Sequence, residues 1–167
     1  MGSGKSTTGR KIAASLQWSF IDTDRLIEEQ NGLSVAELFS LHGEQYFREA
    51  EKKALITASA RSRTVVACGG GTPCTEENIG LMKETGVILY LKLPADILVS
   101  RLEKSKTRRP LLMNNGGTDL KVRVHELLSK RTVWYEQADI IADGQDTTLE
   151  KLTGQLAGLI RDRGAFL

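Results

Sequence analysis

Gly2-Ser3-Gly4-Lys5-Ser6-Thr7, near the amino end of this 167-residue chain, is the stretch that decides the fold. It is the distal part of the pattern G-x-x-x-x-G-K-[ST], which belongs to a strand–loop–helix unit. Gly2 and Gly4 let the backbone curl, so that successive N–H groups point inward at phosphate oxygens. Lys5 brings a mobile ammonium to the β- and γ-phosphates of ATP, and Ser3 and Thr7 complete the loop around it. The Ser6 hydroxyl suits Mg²⁺, which keeps several waters and takes few protein ligands. A helix over about 4–16 aims its positive dipole end at the same anion. The sequence opens inside the motif, without its first glycine or a leading strand, which points to a shortened chain or a late start. A phosphate-loop strand normally lies mid-sheet, so the expectation is a gap or unpaired edges in the core.

Outward from the loop, apolar β-branched runs alternate with helical patterns. Strands are expected at 18–21, 64–68, 87–91 and 139–142. Helices are expected at 25–30, 34–41, 44–60, 76–83 and 120–137. Another opens at Pro94, a residue suited to the first helical position, and runs to about 104. Ser34 with Glu37, and Thr147 with Glu150, have capping-box spacing. Short strands separated by helices predict βαβ units. The apolar strands VVAC, VILYL and DIIA predict burial on both faces. The fold class is therefore α/β, three-layer αβα around a parallel sheet. A length of 167 residues predicts a single domain, 1–167.

Composition excludes other classes. Lys plus Arg number 23 against 21 Asp plus Glu, a net +2, and aromatics are only 5%. That is too even and too poor in rings for a nucleic-acid binder. No apolar run is long enough to span a membrane, and 1–10 has no apolar stretch of the signal-peptide kind. A soluble, cytoplasmic protein is expected. Cys68 and Cys74 are too few for a disulfide framework, and their spacing is not that of a zinc site. His42 and His125 have no matching nucleophile.

Further candidate residues cluster at strand ends. Asp22-Thr23-Asp24 follows a strand, where ligands bind in open α/β sheets. Two carboxylates one residue apart can divide labour, one facing a metal and its waters, the other an acceptor. Thr23 or Asp24 could instead cap the next helix, but a phosphate loop upstream favours the chemical reading. Three consecutive glycines, Gly69-Gly70-Gly71, after a buried strand suggest a backbone that a ligand approaches closely.

Together GSGKST, DTD, the FR of GEQYFREAE, GGGTP, RRPLL and KRTVWY occur in the order and at about the spacing of the shikimate kinases, a family of P-loop kinases that the chain resembles from Met1 to about Asp143. The resemblance implies transfer of the ATP γ-phosphoryl to the 3-hydroxyl of shikimate, on the route to chorismate and the aromatic amino acids. It implies phosphate binding by Lys5 and its loop, Mg²⁺ ligation by Ser6, and help from Asp22 through water. Asp24 would hold a shikimate hydroxyl and take the proton of the attacking one. Arg48 and Arg131 would pair with the shikimate carboxylate, the Gly70 backbone would contact ring hydroxyls, and Arg109 would swing in from a lid at about 104–118. A substrate-binding helical region is expected at about 24–61. A monomer is the default expectation, because no obvious exposed apolar stripe remains. Where some members place a basic residue near the adenine, this chain has Gln145, a candidate contact to the base. The rival readings are a kinase for another polyol acid such as gluconate, and an ATP-binding protein without turnover.

Overall fold

A computed structural model describes residues 2–104 and 119–163. Helix α1 (Lys5–Leu16) leads to strand β1 (Ser19–Asp22), then to α2 (Thr23–Asn31) and α3 (Val35–Ser59). Strand β2 (Thr64–Ala67), α4 (Glu76–Thr85), β3 (Leu89–Lys92) and α5 (Ala95–Glu103) follow. The described chain resumes into α6 (Leu120–Tyr135), β4 (Ile140–Asp143) and α7 (Leu149–Arg163). The expected lid, 104–118, falls almost wholly outside the described residues, and Arg109 with it. No described helix is long and apolar enough to cross a membrane.

Local chemistry accounts for most boundaries. The capping box of α3 is formed: Glu37 N–H donates to Ser34 Oγ at 3.3 Å, and Ser34 N–H donates to the Glu37 carboxylate at 2.7 Å. The break expected between two helices at 41–44 is a kink within α3, at Gly43 with φ 80°. Two caps fall one residue from their expected places. Thr148 rather than Thr147 caps α7, because the carbonyl of Asp143 holds the Thr147 N–H and Thr148 Oγ1 accepts from Lys151 N–H. Position N3 is then a lysine, and no box forms. Pro94 is extended (ψ 145°) and precedes the first helical residue of α5, its carbonyl accepting from Leu98 N–H.

The parallel strands fall into two groups. β1 pairs in parallel with β2, from Ser19 opposite Thr64 to Asp22 opposite Ala67. β3 pairs in parallel with β4, from Leu89 opposite Ile140 to Lys92 opposite Asp143. Among the described residues these are two separate two-stranded sheets. One core still runs beneath both: Ile12 of α1, Ile140 and Ala142 of β4, and Leu152, Leu156 and Ile160 of α7 pack together with Val65 of β2 and Leu89 and Leu91 of β3. The interruption leaves one edge of β2 and one edge of β3 unpaired among the described residues. It also corrects the expectation of strands buried on both faces, since β2 and β3 are largely half-buried and Ile141 of β4 is 47% exposed. A second core, Ile27, Leu38, Phe47 and Ala54, ties α2 to α3. That cluster holds Arg48 and Glu51 in place beside the carboxyl ends of β1 and β2.

Candidate active site

The phosphate loop has the shape its glycines were read to need. Gly2 and Gly4 lie in the left-handed region (φ 64° and 86°), where a side chain would be strained. Gly4 is the N-cap of α1 and has no side chain to cap it, so no capping side chain takes the first-turn amides. From α5, Arg101 donates to the carbonyls of Gly2 at 3.4 Å and Ser3 at 3.3 Å, clasping the loop from outside. Thr7 is exposed on α1, and Lys5 is half-buried.

Asp22 does two jobs. Its Oδ2 accepts from the Ser6 hydroxyl at 2.5 Å, and its Oδ1 accepts from Asp24 N–H at 3.1 Å. The first contact joins the phosphate loop to the end of β1. The second makes Asp22 itself the cap of α2, so neither Thr23 nor Asp24, the alternative weighed for this stretch, caps it. The buried Thr23 has a different task. Its hydroxyl donates to the Ala67 carbonyl at 3.3 Å and accepts from Gly69 N–H at 3.2 Å, locking the end of β1 to the glycine run. Ser6 and Asp22 offer hard oxygens at one point, the chemistry Mg²⁺ takes alongside phosphate and water. No group of three or more His, Cys, Asp or Glu side chains forms a fuller metal cage among the described residues.

The acceptor side is built from α3, the glycine run and α6. Arg48 donates to Glu44 from Nη2 at 2.8 Å and from Nε at 3.2 Å, and from Nη1 to Glu51. Glu51 is only 2% exposed. Its other oxygen accepts from the buried Thr72 hydroxyl at 2.8 Å, and Asn78 Nδ2 donates to the Thr72 carbonyl at 2.8 Å. Burial works against the Arg48 charge, but Glu51 and Glu44 outweigh it and its pKa is raised. The glycine run is pressed against this lattice. A Cβ on Gly69 would lie 2.6 Å from Glu51 Oε1 and 3.1 Å from Asp24 Oδ1, and one on Gly71 would collide with the Arg48 guanidinium. Gly70 is anchored by its carbonyl, which accepts from the Tyr135 hydroxyl at 2.5 Å.

Arg131, one turn before Tyr135, is buried at 8% exposure, whereas its neighbour Lys130 is exposed. Burial pushes the Tyr135 hydroxyl up to about 12, with Arg131 pulling against it. Burial likewise raises the Cys74 thiol, opposed by the charges of Arg131 and Arg48, so both arginines flank one point. At the end of β2, burial pushes the Cys68 thiol up to about 12; Lys5 opposes this, while Glu51, Asp24 and Asp22 reinforce it. Cys68 therefore marks where the phosphate side and the acceptor side meet. The structure brings Lys5, Ser6, Asp22, Asp24, Arg48, Gly70 and Arg131 into this one region. Gln145 stays apart, exposed in the turn after β4 with its N–H on the Asp143 carboxylate.

The family model described as shikimate kinase matches residues 1–160. The chain belongs to the shikimate kinase family. A shikimate kinase of Caldanaerobacter subterraneus subsp. tengcongensis is 42% identical over 156 residues, which are 93% of this chain and 89% of that protein. Among solved structures, a shikimate kinase from Bacteroides thetaiotaomicron superposes with a TM-score of 0.84 at 34% identity, covering 96% of this chain and 94% of that one. The shikimate kinase of Acinetobacter baumannii in complex with shikimate gives 0.85 at 29% identity, covering 98% and 89%. These similarities also bear out the P-loop kinase fold.

Four residues that hold these candidates in place were given no role of their own from the sequence, although Tyr135 stood among the acceptor-side motif residues. Glu51 had a signal, a carboxylate three residues after Arg48 on the helix face that carries Phe47, Ala54 and Ala58. Tyr135 stands four residues after Arg131, on the same face of α6. Thr72 stood within GGGTP, but its contact with Glu51 arises only from tertiary placement; Arg101 had no signal.

Proposed function

We propose that the two clusters around Cys68 form one active site, in which ATP and shikimate meet. The protein is an ATP-dependent kinase that transfers the γ-phosphoryl group to the 3-hydroxyl of shikimate, yielding shikimate 3-phosphate and ADP, a reaction of aromatic amino acid biosynthesis. The observation that carries the reading is the convergence of Lys5, Asp22 and Asp24 with the Glu51-held Arg48 at the carboxyl ends of β1 and β2.

The open amides of α1 and the Lys5 ammonium bind the phosphates, and Lys5 stabilises charge that builds on the γ-phosphoryl oxygens. Mg²⁺, held by Ser6 and by Asp22 through water, would neutralise the β- and γ-phosphates. Arg48 and Arg131 take the shikimate carboxylate, for which the planar guanidinium is matched in shape. Asp24 holds a ring hydroxyl and accepts the proton of the attacking 3-hydroxyl, whose oxygen bonds to the γ-phosphorus as the bridging bond to ADP breaks. The Gly70 backbone would contact the ring hydroxyls, and Arg109 would join Lys5 on the phosphates.

ADP release from MgATP, measured with no acceptor, with gluconate and with shikimate, tests this. Release with shikimate alone is expected. Release with gluconate would transfer the activity to another polyol acid, and ATP binding with no release in any arm would leave a nucleotide-binding protein without turnover.

A further inference from the structure

The backbone groups of the glycine run are unevenly engaged. All three carbonyls are taken: Thr72 N–H donates to Gly69 at 3.2 Å, the Tyr135 hydroxyl to Gly70 at 2.5 Å, and Cys74 N–H to Gly71 at 3.0 Å. Of the three amides, that of Gly69 is engaged, on Thr23 Oγ1 at 3.2 Å. Among the described residues the N–H groups of Gly70 and Gly71 have no partner. The Gly69 and Gly71 carbonyls are held by the run's own turn, whereas Gly70 is held by a side chain 65 residues further along the chain. The Gly70–Gly71 peptide also lies beside the acceptor arginines. The Cys74 thiol donates to the same Gly70 carbonyl at 3.7 Å, and it feels the charges of both Arg131 and Arg48. Arg131 bears on the Tyr135 phenol as well, by its charge and by a hydrogen bond.

We propose that Tyr135 is a positioning residue for the acceptor: its hydroxyl holds the Gly70 carbonyl away from the ligand, so that the Gly70–Gly71 peptide offers an N–H, and not a C=O, to a ring hydroxyl of shikimate. The inference rests on the acceptor reading given above. In a trans peptide the C=O and the N–H point to opposite sides. Pinning the Gly70 carbonyl on Tyr135 therefore fixes the Gly71 N–H on the other side of the same plane. Glycine on both sides of that peptide gives it unusual freedom to turn over, and neither residue has a side chain to resist. The polarity matters because a ring hydroxyl has a single proton. Once that proton is given to Asp24, the hydroxyl can only accept elsewhere. An N–H meets that need, while a reversed peptide sets lone pair against lone pair and leaves a polar group unmet. The phenol of Tyr135 likewise has one proton, committed to Gly70, which leaves its lone pairs for Arg131. One side chain thus ties the arginine that takes the carboxylate to the backbone that takes a hydroxyl. The Tyr135 ring is itself steadied by Tyr90, with centroids 5.0 Å apart and planes tilted by 38°.

Tyr135→Phe keeps the ring and removes only the hydroxyl. The test compares it with the unsubstituted chain by calorimetric titration of shikimate and of the analogues that each lack one ring hydroxyl, alongside steady-state kinetics. In the variant the KM for shikimate should rise about tenfold, with the KM for ATP within about twofold. For one hydroxyl, its loss from the ligand should weaken binding to the unsubstituted chain about tenfold and to the variant less than about threefold. A general loosening of the fold would not single out one hydroxyl. Equal penalties for every analogue in the two chains would overturn the proposal and leave Tyr135 a packing residue. A second readout needs no substrate. In chains grown on glycine labelled with carbon-13 at the carbonyl and with nitrogen-15, a carbonyl–amide correlation reports only glycines that follow glycine, which are Gly70, Gly71 and Gly117. Gly117→Ala removes the last of these signals. The Gly71 signal should be single and sharp in the unsubstituted chain, and doubled or broadened in Tyr135→Phe as the peptide samples both orientations. A signal as sharp as before, shifted or not, would overturn the proposal. If shikimate bound to neither chain, the acceptor reading would fall, and the glycine signal would decide the role of Tyr135 by itself.

Discussion

The acceptor cluster and the slot between the sheets lie on either side of Cys68, and they obey opposite rules. Around Arg48 the buried polar groups have partners: Glu51 meets Arg48 and Thr72, Thr72 meets Asn78, and Gly70 meets Tyr135. Between the sheets, apolar side chains such as Val65, Leu89 and Leu91 face a cavity with charged residues at its ends, and the facing backbone edges of β2 and β3 are open among the described residues. Buried polar groups must be satisfied locally, or they cost more than they contribute. Apolar walls carry no such demand on each other. The recognition half of the molecule is thus held by its own polar partners, while the sheets on the other side of Cys68 leave strand edges open among the described residues.

Lys5 lies where the two regions meet, and Lys5→Met is the harshest test. Turnover should fall on the order of a thousandfold, as when a key electrostatic donor is lost, with circular dichroism and Tm unchanged. A large loss of Tm would mean that Lys5 holds the slot together and is not primarily a phosphate ligand. Arg131→Ala should raise the KM for shikimate about a hundredfold, since removing one partner of a buried charge pair costs ~2–5 kcal/mol. The KM for ATP should move less than about twofold. If both constants rose together, the acceptor site would be misplaced.

The contrast in packing can be measured on its own. Leu38→Ala, in the filled α2–α3 core, should lower stability by about 3 kcal/mol, and Leu91→Ala, on the slot wall, by roughly half that, because its neighbours on one side are already missing. Equal losses in urea unfolding would show the slot to be as closely packed as the core. The smallest effect belongs to Tyr135→Phe, which removes the hydrogen bond to Gly70 at a cost of ~1 kcal/mol. It also carries a pH signature. The Tyr135 pKa is raised in the fold, so its contribution is complete below about pH 10 and fades as pH climbs towards about 12. Above pH 10 the substitution should therefore flatten the alkaline decline of Tm.

How much of this could be read beforehand depends on how local each cause is. Ser34 and Glu37 satisfy one another across three residues, so that cap was legible, whereas the α7 cap turned on a carbonyl from the preceding strand and was misplaced by one. The phosphate loop was legible because its backbone conformation demands glycine. Asp22 was recognised for its charge, but its double contact with Ser6 and Asp24 required knowing that α1 and β1 end side by side. The glycine run was read as a close approach. What approaches Gly69 and Gly71 proved to be the protein's own Glu51 and Arg48, a fact of tertiary packing that no spacing along α3 could show.

Arg48 also changes how the site meets its surroundings. With Glu44 and Glu51 already on its guanidinium, the unliganded cluster projects little net positive field into solvent. An arriving carboxylate is then recognised at contact, by the orientation of donors already in place, and is not drawn in from a distance of a Debye length. Capture of the acceptor should accordingly vary little with ionic strength between about 20 and 200 mM, in contrast to a bare arginine, whose pull fades steadily as salt is added.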